Sequence, residues 1–360
     1  MKIDKWLFID TVVLMLFGLL MIYSASYIWS VYKFGNSFHY VIYQGIFIII
    51  SVILMSILSK INPQLYKQHA TKLLIISLVL LIIVLIPGVG VIRNGSRSWF
   101  GIGPFGIQPS EFAKLSLIIF TAKYLDNSNK YLKNYKKGVF PILGILLFVF
   151  GLIMLEPDFG TGMIIVVSIL SLLFIAGVNM KFFFILGGVG VIGIIILILI
   201  APYRMDRITS FLNPWSDPLG TGFQIIQSLY AIGPGGFLGM GLFSSRQKHF
   251  YLPEPQTDFI FSIISEELGV LGVIIVVLLF AFLLYRVIKI ALKCEDKFSK
   301  YLSFGLIFQI IIQTIMNLLV VIGLIPVTGV TLPFLSYGGS SLIISGISIG
   351  IILSISKNVN

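Results

Sequence analysis

The stretch YLPEPQTDFIFSIISEELG, residues 251–269, holds four carboxylates, Glu254, Asp258, Glu266 and Glu267. It runs without a break into VLGVIIVVLLFAFLLY, residues 270–285. A continuous apolar run of this length reads as a membrane-spanning helix, because lipid offers no partner to an open backbone. The carboxylates therefore stand at the mouth of a span rather than on a soluble surface. Upstream, SSRQKHF (244–250) adds Arg246 and Lys248 as counter-charges.

The rest of the chain agrees with that reading. Of 360 residues, 58% are hydrophobic and 11% charged, and the mean hydropathy is +1.04. Soluble domains carry about 25% charged residues. Alternating ten-residue segments, the mark of a membrane β-barrel, are absent. The expected fold is all-α, with about ten spans near 6–28, 38–58, 72–91, 109–126, 139–155, 160–178, 181–200, 258–286, 301–323 and 336–355. The chain is expected to be one membrane domain over residues 1–360, with a large extracytoplasmic loop at 201–257 between spans seven and eight. The first span is long for a signal peptide and reads as a retained anchor.

With a cytoplasmic N-terminus, seventeen Lys and Arg fall inside, seven outside, and Lys114 within a span. This positive-inside bias carries most of the net charge of +11. The lysines are scattered over short loops, which excludes a nucleic-acid site. His39, His69 and His249 are dispersed and Cys294 is the single cysteine, so zinc and haem sites are excluded. The outside segments are elaborate: 92–108, 201–257 and 323–341. Function is expected at that face.

Several charges there are candidates. Glu111 and Lys114, three apart in PSEFAKL, can meet on one helix, as a structural pair or a substrate contact. Glu156 and Asp158 in LEPDFGTG lie in a short turn, where a helix cap and a ligand contact are both open. Asp258 is either an N-cap or a general base whose pKa desolvation raises. Glu266 and Glu267 are expected to be satisfied by polar groups on neighbouring spans, and Glu254 to shape the mouth. Arg93, Arg97, Arg204, Arg207, Arg246 and Lys248 suit a phosphorylated lipid-linked ligand or lipid headgroups. GPGGFLGMG (233–241) lacks the Lys-Ser/Thr of a phosphate loop and suggests close packing or a mobile loop.

NGSRSWFGIGPFGIQPSEFAKL, EPDFGTG, RITSFLNPWSDPLGTGFQIIQSLYAIGPGGFLGMGL, YLPEPQTDFIFSIISEELG and IPVTGVTLPFLSYGGSS together resemble the SEDS family (FtsW, RodA and SpoVE), nearest to its sporulation member. The match runs in order from the first span to the last. The resemblance implies ten spans with both termini inside, in the cytoplasmic membrane or at a sporulation septum. It implies a peptidoglycan glycosyltransferase that polymerises lipid II, a class B penicillin-binding protein as partner, and a divalent cation, Mg²⁺ or Mn²⁺. The family's essential aspartate falls on Asp258. Substrate contacts are implied at Arg93, Arg97, Trp99, Glu111, Lys114, Asp158, Arg204, Gln227, Arg246 and Ser336. The sequence departs from the family's usual pattern at Glu156, where Gln is customary, and at Tyr43, where many members carry a basic residue. A lipid II flippase and a recruiting scaffold are the competing readings; elaboration at one face and the absence of an evident internal repeat favour chemistry.

Overall fold

The computed structural model describes residues 3–93, 95–102, 105–128, 134–200 and 202–359. In chain order the helices are α1 (Lys5–Phe34), α2 (His39–Leu58), α3 (Pro63–Val84), α4 (Pro109–Ser128), α5 (Tyr135–Gly138), α6 (Phe140–Leu155), α7 (Phe159–Ile175), α8 (Met180–Ile200), α9 (Pro202–Leu212), α10 (Phe223–Ile232), α11 (Ile260–Lys293), α12 (Lys297–Val321) and α13 (Gly339–Ser356). Six of these, α1, α2, α3, α11, α12 and α13, are long and apolar enough to cross a membrane, and α6, α7 and the first part of α8 are shorter apolar helices. The protein is a predominantly helical, multi-pass membrane protein. α4 is the least apolar of the long helices at the expected spans, because it carries Glu111 and Lys114 near its start and Lys123 and Asp126 near its end.

The helix ends are set by local chemistry. Asp4, Asn62, Asp158 and Asp296 each accept a backbone N–H from the first turn of the helix they precede. Close packing comes from small residues. A Cβ on Gly346 of α13 would lie 1.9 Å from Ser51 Oγ on α2, and one on Gly350 would lie 2.9 Å from Met55. The chain ends meet at one end of the bundle. There the Asp4 N–H donates to Ser356 Oγ at 3.0 Å, and Arg286 pairs with Asp4.

The opposite end holds the elaborate segments. Residues 91–107 form a three-stranded antiparallel meander of β1 (Val91–Arg93), β2 (Ser96–Ile102) and β3 (Phe105–Ile107). The sequence reading assigned no strands there, because two of the strands have only three residues and the seven of β2 (SRSWFGI) do not alternate polar with apolar. The 201–257 segment is likewise not plain loop: it contains α9 and α10.

α11 differs most from expectation. It begins at Ile260 and breaks at Gly269, where φ is 61° and ψ is −153°. Only glycine takes that conformation without strain. Beyond the break, Val270–Lys293 reaches about 36 Å at ~1.5 Å per residue, enough to cross the ~30 Å hydrocarbon layer alone. Ile260–Leu268 is therefore a stub on top of the span, with Asp258 just before it.

Candidate functional site

Four elements converge on Asp258. Asn317, on α12, donates through Nδ2 to the Asp258 carbonyl at 2.7 Å and to the Val330 carbonyl at 2.8 Å. One turn away on the same helix, Gln313 donates through Nε2 to the Thr331 carbonyl at 3.0 Å and to Ser341 Oγ at 3.2 Å. Its Oε1 accepts from Lys114 Nζ at 2.9 Å, and Lys114 also pairs with Glu111 at 2.9 Å. Residues four apart on a helix sit about 5–6 Å from each other. The structure thus links the Asp258 main chain and the Glu111–Lys114 pair through adjacent turns of α12 and adjacent residues of 330–331. The pair lies in the first turns of α4, buried and fully engaged.

The Asp258 carboxylate itself is half-buried and accepts a side-chain hydrogen bond from Thr257 Oγ1 at 2.9 Å. Desolvation pushes its pKa above the ordinary carboxylate range; the Thr257 bond and Arg207 pull part of the way back, and Glu254 adds to the rise. Arg207, on α9, donates to the Val327 carbonyl at 3.0 Å, so it braces the 323–338 segment beside the aspartate. Glu254 pairs with Lys33 at 3.3 Å with both groups well exposed, a contact of small energy.

Around this centre several buried polar atoms have no partner: Gln256 Oε1, Asn317 Oδ1 and the Thr328 hydroxyl. Buried polar groups are ordinarily bonded, so such a group of orphans marks a place suited to a polar ligand.

The remaining expected residues divide. Arg93 lies over the Trp99 ring at 4.9 Å, and a Cβ on Gly106 would come within 2.8 Å of its guanidinium. Arg93 also acts electrostatically on Tyr337. Arg97 turns instead to the loop leaving α3, where Nη1 reaches the Leu85 carbonyl at 3.5 Å. Asp158 is the N-cap of α7: it accepts from the Thr161 N–H at 3.0 Å and from Gln108 Nε2 at 2.9 Å. Ser336 is buried, and its hydroxyl accepts from the Leu332 N–H at 2.8 Å, closing a turn. Gln227 is half-buried on α10. Arg246 is exposed, while the Arg204 side chain lies outside the described residues.

Glu156 is fully buried with both carboxyl oxygens unpartnered. Burial, then the neighbouring Asp158, pushes its pKa up to about 9. At neutral pH it is a neutral acid, close in shape and charge to the Gln that resembling sequences carry there. Its carbonyl accepts from the Ser96 hydroxyl, tying the α6–α7 turn to β2.

Sequence reasoning did not single out Asn317 or Gln313 for the site, and it took Arg207 only as one of several outer arginines. A signal existed for the first two: Gln309, Gln313 and Asn317 recur every four residues along an otherwise apolar span, and all three are buried.

The sequence model of the FtsW/RodA/SpoVE family, described as "Cell cycle protein", matches residues 5–360. The chain belongs to this family. It is 51% identical over 354 residues to stage V sporulation protein E of Bacillus subtilis (strain 168), covering 98% of this chain and 97% of that one. It is 40% identical over 356 residues to a probable peptidoglycan glycosyltransferase FtsW of Trichlorobacter lovleyi, covering 99% and 93%. Among solved structures it superposes on a chain of a peptidoglycan synthase complex with a TM-score of 0.81, 30% identity and coverage of 99% and 98%. It also superposes on the rod shape determining protein RodA of Thermus thermophilus with a TM-score of 0.74 and 26% identity, covering 100% of this chain and 98% of that one.

Proposed function

We propose that this family member is a peptidoglycan glycosyltransferase that polymerises lipid II at the outer face of the cytoplasmic membrane. The reading extends to spore-cortex or septal wall synthesis on the 51% identity to a sporulation protein. The observation that carries the chemistry is the Asn317 junction. It fixes Asp258 beside Arg207 and links it through α12 to the Lys114–Glu111 pair, at the end of the bundle richest in structure outside the spans.

In the proposed step Asp258 takes the proton from the 4-hydroxyl of the acceptor's terminal GlcNAc. That oxygen bonds to C1 of the donor's MurNAc as the bond from C1 to the diphosphate oxygen breaks, with inversion at C1. Undecaprenyl diphosphate leaves with the electron pair. Arg93, Arg207 and Arg246 are the described guanidinium groups at this end suited to the growing negative charge. A raised pKa brings the base closer to the operating pH.

Among the described residues no group of three or more His, Cys, Asp and Glu side chains could hold a metal ion. A resident protein-held metal does not fit. A divalent cation remains part of the proposal as a companion of the diphosphate, bound mainly by phosphate oxygens as Mg²⁺ commonly is, and no step is routed through it. The proposed partner is a class B penicillin-binding protein, which would cross-link the new strand; the superposition on a chain of a peptidoglycan synthase complex supports it. Both termini would be cytoplasmic.

The transport alternative drew its support from Glu111–Lys114 as charges at membrane depth. The two pair with each other and Lys114 also bonds Gln313, so among the described residues the lysine is held by the bundle itself, which weighs against the transport reading. Purified protein mixed with labelled lipid II and its transpeptidase partner tests the proposal. Glycan ladders are the expected result. Transfer of lipid II between vesicle leaflets without ladders would instate the flippase.

A further inference from the structure

Glu266 and Glu267 are adjacent and fully buried, yet both reach the same loop. Adjacent residues on an unbroken helix point in different directions. The break at Gly269 is what lets a second strand of backbone approach. Met240 and Gly241 donate to the Glu266 and Glu267 carbonyls at 2.9 and 3.0 Å, and Val270 and Leu271 donate to Gly236 and Phe237 at 3.0 and 3.1 Å. Gly239 permits this contact, since a Cβ there would lie 2.1 Å from the Glu267 carbonyl oxygen. The glycine-rich 233–241 stretch is therefore close packing, not a nucleotide loop.

The carboxylates then bind the next residues of the loop. Glu266 accepts from the Arg246 N–H at 2.8 Å, the Gln247 N–H at 3.4 Å and the Ser245 hydroxyl at 2.5 Å. Glu267 accepts from the Phe243 and Ser245 N–H groups, both at 3.1 Å, from Lys248 Nζ at 2.8 Å and from Ser24 Oγ. Lys248 points inward with no exposure. Within the clamped stretch 243–248, Arg246 is the one charged side chain left facing outward. The clamp sits about 9 Å along the same helix stub whose outer end carries Asp258, at ~1.5 Å per residue.

We propose that Glu266 is a positioning residue for a lipid-linked diphosphate. By holding the Arg246 main chain, it presents the guanidinium to the phosphate oxygens at a fixed place on the helix stub that follows Asp258. The inference rests on the glycosyl-transfer reading for the identity of the anion. Phospholipid headgroups offer the same phosphate chemistry, and the test separates the two sources.

Protein in zwitterionic nanodiscs is titrated with undecaprenyl diphosphate, and in a second arm bound to vesicles containing phosphatidylglycerol. Arg246→Ala is expected to weaken diphosphate binding about tenfold, as loss of a charge-assisted pair does. Glu266→Gln is expected to weaken it about fivefold. The double variant should be no weaker than Arg246→Ala alone, because both changes remove one interaction. Ser245→Ala, a milder loosening of the same clamp, should cost about twofold and also vanish in the Arg246→Ala background; it serves if Glu266→Gln does not fold. Additive losses, unchanged affinity in Glu266→Gln or in Arg246→Ala, or losses confined to the phosphatidylglycerol arm would overturn the inference. Polymerisation of lipid II is scored separately. Ladders with a Glu266-independent affinity would leave the enzyme reading standing and remove the clamp. The expected binding losses without ladders from the unaltered protein would do the reverse.

Discussion

Two buried polar clusters flank the first turns of α11, and they are built on opposite plans. Around Glu266, Glu267 and Lys248 the carboxylate and ammonium groups are engaged by the chain itself, over seven bonds from the 243–248 loop and Ser24. Around Asp258 the main chain is held by Asn317, but Thr257 is the side chain that donates to the carboxylate, and its neighbours leave unpaired oxygens. A saturated cluster holds a shape. An unsaturated one, with its carboxylate half-buried, holds a place for something else. The location of charge in a membrane protein is therefore a weaker guide to chemistry than whether the charge is already satisfied.

The contrast can be broken in order of expected effect. Asp258→Asn should lower lipid II polymerisation by about 10²–10⁴, the usual range for a general base. Its melting temperature should hardly change, since the Asn317 bond goes to the backbone. Lys248→Met should act on the other axis. It leaves Glu267 buried without its cation and should cost about 3–5 kcal/mol of stability, read as lost folded protein in detergent. Adding Glu267→Gln should recover much of it. A rate loss in Lys248→Met without destabilisation would show that the saturated cluster is not structural.

Glu156 offers an intermediate case, an unsatisfied carboxyl inside a packed turn. Its folded pKa of about 9 lies well above the ordinary 4.5 of a glutamate. The folded state therefore binds the extra proton, and stability falls as pH rises between about 4.5 and 9, then levels off. Glu156→Gln should remove that slope and stabilise the protein at pH 7 by on the order of 3 kcal/mol. Melting curves across pH for both proteins check it. The smallest expected effect is on Asn317→Leu. It frees the Asp258 and Val330 carbonyls and should reduce turnover about tenfold, the scale of one lost buried hydrogen bond.

The acid limb of the pH–rate profile sharpens the same comparison. The base must be ionised to act, and desolvation raises its pKa, so the rate should fall on acidification at a pH above the ordinary carboxylate value of about 3.9. An acid limb at or below that value would place the base elsewhere.

Much of the architecture was legible in the sequence for one physical reason: apolar runs of span length permit few structures. The end of the bundle that carries the elaborate segments was legible from the contrast between elaborate and short loops. The Glu111–Lys114 contact followed from three-residue spacing and appears at 2.9 Å. What the sequence did not reveal depends on backbone acceptors. Asn317 and Gln313 act on the carbonyls of Asp258, Val330 and Thr331, and carbonyls have no letter in a sequence. The Glu266–Glu267 partners were expected on neighbouring spans. They lie mainly on a loop, because the break at Gly269 opens the helix to a second backbone, and one glycine among 35 does not announce itself. Asp158 had both a cap and a ligand reading, and its bonds to Thr161 and Gln108 are those of a cap tied to the end of the meander segment.

The measurement that tests the central claim most directly is the rate of glycan formation from lipid II by the purified protein and by Asp258→Asn, at equal folded concentration and saturating substrate. The account predicts glycan ladders from the first and a rate at least about a hundredfold lower from the second. Equal rates would contradict it, and would leave Asp258 without a part in the chemistry.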